Sequence, residues 1–266
     1  MGSMIHWIEL AILAVMLHSP NMTTQTETAD IETSSDGYAA RFAGPAGEWM
    51  LGVQEAITVA LLPAPDAVTV LDVGGGHGQL VRPLCRRGYV VTVVGSEESC
   101  RNRIVDLVEK GQCGFMVGNV VELPFPDRSF DVVMSFRLLP HCAAWPVLIR
   151  ELCRVARSSV IVDYPTSEGL NAIAPALFGA KKKLEGNTRE WRMFRHAEVM
   201  EEFAKQGFVL DRRIPQFFLP MVLHRMLKCP RFSAGLEAIC RGLGLTRRWG
   251  SPVILRMDRV GLPLVG

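Results

Sequence analysis

Apolar and polar positions between residues 38 and 260 fall into a repeating rhythm of short apolar runs and stretches with helical spacing. Residues 67–73, 90–95, 113–117, 130–136 and 159–163 have the length and the Val, Ile and Phe content of buried strands. Between them, 79–87, 98–110 and 145–156 read as helices; in the last, Trp145, Leu148, Ile149, Leu152 and Val155 recur at three-to-four spacing. Strand–helix alternation calls for crossover connections and a mainly parallel sheet. Past residue 163 the rhythm changes. Helices are expected over 168–183 and 196–206, a strand over 207–215, an apolar helical stretch (MVLHRML, AGLEAICRGLGL) over 220–245, and a last strand within SPVILRMDRV at 251–260.

The first 37 residues do not share this rhythm. Residues 5–17 form an apolar run containing His6 and Glu9, shorter than the ~20 residues a bilayer span needs and without the basic flank of a secretory signal. It reads either as a peripheral amphipathic helix or as sequence ahead of an alternative start at Met22. Residues 19–37 are polar and rich in Thr and Ser, and are expected to be a disordered linker. The expected organisation is therefore an N-terminal extension and linker over 1–37, then one domain over 38–260 with a cap region at 166–195 and a helical insertion at 220–248.

Composition narrows the classes. A chain of 266 residues can bury the core of one large α/β domain. Lys plus Arg (29) nearly balance Asp plus Glu (27), which argues against a nucleic-acid partner. Seven cysteines are scattered with no C-x-x-C spacing, against both a zinc site and a disulfide framework, so a reducing cytoplasm is the expected location. The apolar run and the insertion add a peripheral membrane contact to that expectation.

Chemistry concentrates in LDVGGGHGQL (71–80), where Gly74, Gly75, Gly76 and Gly78 follow an apolar strand. Such glycines serve either a tight turn or a backbone that closes on a ligand with its N–H groups. The dinucleotide fingerprint G-x-G-x-x-G would need glycine at 79, which is Gln79, and nothing after Gly78 supplies the Lys-Ser/Thr of a P-loop. The pattern that remains is D-x-G-x-G-x-G.

VLDVGGGHGQL resembles motif I of the class I S-adenosylmethionine-dependent methyltransferases. GNVVELPFPDRSFDVVMSFRLLPH (118–141) resembles the strand-four stretch of the type 11, ubiquinone-biosynthesis-like methyltransferase domain, and SDGYAARFAGPAGEW (35–49) resembles the cover segment of such enzymes. The resemblance implies a doubly wound, mostly parallel seven-stranded sheet with an antiparallel last strand. It implies methyl transfer from S-adenosyl-L-methionine to a small-molecule or lipophilic acceptor, with no metal.

Carried onto this chain, the resemblance has Asp72 orient the methionine moiety while Gly74, Gly76 and Gly78 admit it. Glu97, or its neighbour Glu98, would accept from ribose hydroxyls. Asn119 stands where the family usually has an aspartate for the adenine amino group, and the Val120 N–H would meet adenine N1. Phe136 and Arg41 complete the expected cofactor set, Arg41 on a carboxylate. Arg137 is expected to anchor a carboxylate of cofactor or acceptor, and Tyr164 to line the acceptor pocket. His141 is read either as a general base or as a residue that shapes the pocket. The alternative functions are a non-catalytic S-adenosylmethionine-binding regulatory module and a nicotinamide-dependent oxidoreductase.

Overall fold

The computed structural model describes residues 27–170 and 191–261. Seven strands, β1 (Thr69–Val73), β2 (Val90–Gly95), β3 (Gly114–Val117), β4 (Phe130–Ser135), β5 (Ala156–Tyr164), β6 (Phe208–Pro215) and β7 (Val253–Arg259), form one sheet in the order β3-β2-β1-β4-β5-β7-β6. β7 runs antiparallel to both of its neighbours and the other pairings are parallel. The expected doubly wound sheet with its reversed last strand is therefore what the chain forms. The order reverses at β1/β4, the crevice position at which open α/β sheets bind ligands.

Helices cover both faces because the central strands are apolar on both sides. On one face α6 (Trp145–Val155) and α7 (His196–Lys205) bury Leu148, Ile149, Leu152 and Phe203 against Val133, Val160 and Leu255. On the other, α3 (Gly44–Leu61), α4 (Val81–Arg86) and α5 (Val105–Glu109) bring Leu61, Leu84 and Leu107 against Val70, Val91 and Ile254. Asp131 pins the β1/β4 pairing by accepting from the Thr69 N–H at 3.0 Å and the Thr69 hydroxyl at 2.7 Å.

Three sequence expectations change. Residues read as a linker up to 37 instead hold α1 (Ala29–Ser34) and the start of α2 (Asp36–Ala40), so a domain boundary at 38 cuts through folded chain. The helix expected over 98–110 divides into a 3-10 turn (Glu98–Arg101) and α5, with the Arg103 carbonyl between them taken by the Arg82 guanidinium at 2.9 Å. The apolar stretch 220–245 divides into α8 (Met221–Leu227), α9 (Pro230–Gly242) and α10 (Leu245–Trp249). Lys228 and Gly244 adopt left-handed backbone at the two breaks, and Pro230 opens α9 where its missing N–H costs nothing. The apolar run 5–17, most of the expected helix 168–183 and most of the 166–195 cap lie outside the described residues. No described helix is long and apolar enough to cross a membrane.

Candidate cofactor and acceptor site

β1 delivers Asp72 to the C-terminal edge of the sheet, and the glycine loop turns directly over it. Gly74 (φ 75°) and Gly78 (φ 73°) take left-handed backbone on either side of a short 3-10 turn, Gly75–His77. Gly75 and Gly76 are required by proximity: a Cβ on Gly75 would lie 2.1 Å from Asp72 Cγ, and one on Gly76 2.1 Å from the Cys100 carbonyl oxygen. Asp72 is fully buried, and neither carboxylate oxygen has a hydrogen-bond partner among the described residues. Burial pushes its carboxyl up to about 7, partly opposed by the Arg137 guanidinium. An orphaned buried carboxylate is costly unless something completes it, and a polar or cationic ligand group lying on the loop is the completion its position allows.

Beside the loop lies a cavity of about 360 Å³ whose wall includes Tyr38, Phe42, Leu51, His77, Gln79 and Arg137. Arg137 follows β4 with left-handed backbone (φ 61°), which is strained for a residue with a side chain. Its N–H donates to Asp163 Oδ1 at 2.6 Å, and its guanidinium donates to Gln54 Oε1 at 2.9 Å and to Gln79 Oε1. The ring of Phe42 lies 4.2 Å beneath it. Asp163, at the end of β5, also accepts from Gln54 Nε2 at 3.0 Å; burial raises its carboxyl to about 6, against the N–H of Arg137. His77 Nδ1 accepts the Gln79 N–H at 3.3 Å, and its buried Nε2 has no hydrogen-bond partner among the described residues. Burial, then the positive fields of Arg137 and Arg103, hold this imidazole well below its ordinary range, so it is neutral at pH 7.

The expected site residues divide. Asp72, Gly74, Gly76, Gly78 and Arg137 come together around the loop and cavity. Asn119 sits close by, its Oδ1 accepting the Glu27 N–H at 3.3 Å and the Val121 N–H at 3.2 Å, with Val120 fully buried alongside. Glu97 is exposed at the start of the 3-10 turn, beyond the end of β2. Phe136 is fully buried in the core with Val132, Ile161 and Ile254. Arg41 pairs with Glu32 at 3.5 Å and stacks on Tyr38, away from the cavity wall. Tyr164 is fully buried and bonds His196 Nδ1 through its hydroxyl at 2.6 Å. His141 meets the edge of Tyr38 at 6.3 Å between ring centroids and does not line the cavity.

Sequence reasoning read His77 as a turn residue whose ring packs near the ligand, and it lines the cavity; it missed the Gln54–Arg137–Asp163 bracket and α1. The polar residues Gln54 and Asp163 carry no motif of their own, and only tertiary contact joins them. α1 lies against the 3-10 turns that follow β1 and β2. The Asp30 carboxylate, itself fully buried, accepts from the Ser96 N–H and the Ser96 hydroxyl, each at 2.6 Å, and from Cys100 Sγ at 3.4 Å. At Gly95, the last residue of β2, a Cβ would lie 2.6 Å from Cys100 Cβ, so no acidic side chain fits there.

Known proteins agree with this architecture. Residues 71–162 match the profile of a family described as a methyltransferase domain. A ubiquinone biosynthesis O-methyltransferase of Caulobacter vibrioides is 27% identical over 145 residues, 52% of this chain and 58% of that protein. A 2-methyl-6-phytyl-1,4-hydroquinone methyltransferase of Synechocystis sp. is 36% identical over 188 residues, 70% of this chain and 57% of that protein. The chain thus spans less than two thirds of the length of either relative. Among solved structures, magnesium protoporphyrin IX methyltransferase from Synechocystis, with bound S-adenosylhomocysteine, superposes with a TM-score of 0.59 at 18% identity, covering 85% of this chain and 96% of that one. The glycine loop, the strand-four motif and the seven-stranded sheet with its reversed last strand belong together: over residues 71–162 this chain carries a methyltransferase domain of that family.

Proposed function

We propose that the protein transfers a methyl group from S-adenosyl-L-methionine to a small lipophilic acceptor. The observation that carries the reading is Asp72: a buried carboxylate with no hydrogen-bond partner among the described residues, beneath a loop in which two glycines lie too close to their neighbours for any side chain. That cradle fits the amino-acid end of the cofactor, whose ammonium would complete Asp72. Its sulfonium supplies an electrophilic methyl, so that the protein's part is chiefly to hold an acceptor in line with it.

Arg137 is the cationic anchor on the cavity wall, for a carboxylate of cofactor or acceptor, and its bracket of Gln54, Gln79 and Asp163 fixes the guanidinium in place. His77 Nδ1 accepts the Gln79 N–H, so the neutral imidazole carries its proton on Nε2 and meets a ligand at the cavity wall as a hydrogen-bond donor. His141, behind Tyr38, shapes the wall through that ring. Support for a lipophilic acceptor comes from the two relatives, named for ubiquinone biosynthesis and for a phytyl hydroquinone, and from the aromatic and aliphatic cavity residues Tyr38, Phe42 and Leu51.

A specific feature of the insertion favours peripheral contact with an anionic bilayer. α9 is amphipathic in the inverted sense: it buries Ser233 and Glu237 and exposes Phe232 (55%), Ile239 (61%) and, just past its end, Leu243 (70%), which share one stripe at seven- and four-residue spacing. Lys228, Arg231, Arg241, Arg247 and Arg248 are exposed around it, while Glu237, the one acid of the insertion, is buried against His224 at 3.0 Å. An apolar stripe set among cations matches the headgroup–acyl boundary of an anionic membrane.

Incubation with methyl-labelled S-adenosylmethionine and a lipid extract tests the activity. Label is expected in solvent-extractable material and is expected to be lost in Asp72→Ala; label that stays in the aqueous phase sinks the lipophilic acceptor. Co-sedimentation with phosphatidylglycerol vesicles, but not phosphatidylcholine vesicles, is the expected signature of the α9 face. Equal partitioning of a Phe232→Ser, Ile239→Ser, Leu243→Ser variant removes it.

A further inference from the structure

In a doubly wound fold the ends of β1 and β2 and the loop above them receive the nucleotide part of a ligand. In this protein α1 lies there. Glu27 offers its N–H to Asn119 Oδ1, the acceptor that the methyltransferase reading assigns to the adenine amino group. Three residues on, both Asp30 oxygens are engaged at Ser96, where the ribose would lie. Ser34 Oγ stands 2.5 Å from the point where a Cβ on Gly76 would be, so it rests on the loop itself. Ala29 is fully buried in the same core cluster as Val120 and Leu138.

We infer that α1 is an internal competitor for the cofactor: its backbone and one carboxylate satisfy the groove, and cofactor binds only as this strap leaves. The inference rests on the methyltransferase reading and concerns the regulation of that same site.

The chemistry of β2 explains why a carboxylate is held here. Acid is sterically barred from Gly95, and the next residue presents two donors, an N–H and a hydroxyl. A donor pair selects an acceptor, and Asp30 accepts three hydrogen bonds. The strap is correspondingly short. α1 has six residues, too few to be stable by itself, so its helicity depends on these contacts and is lost with them. A groove closed most of the time lowers apparent affinity by the fraction of time it is open.

Two measurements on the full chain test this. The first compares S-adenosylhomocysteine affinity by calorimetry in the wild type and in Asp30→Ala, with Glu109→Gln, exposed at the end of α5, as a surface control. Asp30→Ala is expected to tighten binding by about tenfold or more, with the control unchanged. The second follows hydrogen exchange of the 29–34 amides in the wild type, which does not depend on how the variant folds. Protection is expected in the protein alone and is expected to fall when S-adenosylhomocysteine is added. Binding with protection of 29–34 retained or increased overturns the strap. Weaker binding by Asp30→Ala also overturns it, and makes Asp30 a ligand of the cofactor instead. Binding by neither protein overturns the cofactor reading, and the strap with it.

Discussion

Asp163 Oδ1 accepts the backbone N–H of Arg137 at 2.6 Å, and this one bond holds a left-handed arginine at the end of β4 and thereby the cation at the cavity wall. Asp163 Oδ2 meanwhile holds Gln54, which in turn accepts from the Arg137 guanidinium, so the backbone and side chain of Arg137 are fixed from a single carboxylate. Asp163→Ala leaves two buried donors unmatched and should cost about 2 to 4 kcal/mol in urea unfolding. Asp163→Asn, which keeps an acceptor for the Arg137 N–H, should cost less than half of that.

Asp72 gives a pH dependence with a defined sign. In the folded chain its carboxyl is held at about 7, against an ordinary value of 3.8, so the folded state keeps a proton that the unfolded state releases. Stability associated with that proton is present below about pH 4 and is lost as pH rises to about 7, a penalty on the order of 4 kcal/mol when complete. Asp72→Asn removes the penalty. Its stability advantage over the wild type should be small at pH 4, grow through the interval, and level off above pH 7, as read from thermal unfolding across that range.

The same carboxyl links binding to protons. Near pH 6 Asp72 is largely protonated in the protein alone, and a ligand ammonium on the loop favours its ionised form. S-adenosylhomocysteine binding should therefore release up to about one proton at pH 6. Calorimetry in buffers of different ionisation enthalpy reads this directly, and Asp72→Asn should abolish the buffer dependence.

Two glycines separate crowding from conformation. Gly76→Ala would push a methyl into the Cys100 carbonyl and should destabilise the chain by about 3 kcal/mol or more. Gly111 has open space around it and only a positive φ (65°) to lose, so Gly111→Ala should cost about 1 kcal/mol. Denaturant midpoints of the two variants distinguish the effects.

The sheet was legible because its strands are buried on both faces and their apolar runs stand out from polar connections. β2 falls on the expected residues 90–95, and α6 repeats its five apolar positions toward the core. The glycine loop was legible because its steric demands are written in glycine. α1 was not. Its residues, ADIETS, have no apolar stripe, and what makes them helical is the set of donors at Ser96, 66 positions away in sequence. Glu97 was a natural choice from spacing alone, yet β2 ends at Gly95 and the chain turns outward, leaving that side chain exposed. Glu97→Ala should accordingly change S-adenosylhomocysteine affinity by less than about twofold.

The insertion between β6 and β7 has a property that follows from its two ends. Pro215 and Val253 are register partners, and the pairing continues outward through the Gln216 N–H to the Pro252 carbonyl at 2.9 Å and the Ser251 N–H to the Phe217 carbonyl at 2.7 Å. Residues 218–250 thus leave and rejoin the sheet about one strand spacing apart. Topologically they are the loop of a β-hairpin, however many helices they contain. Such a block can lengthen, shorten or be exchanged for another while the register of all seven strands, and the loop over Asp72, stays as it is. What such an exchange would disturb is the packing on α3, where the Trp49 ring meets Phe217 at 5.3 Å and His224 at 5.1 Å between centroids.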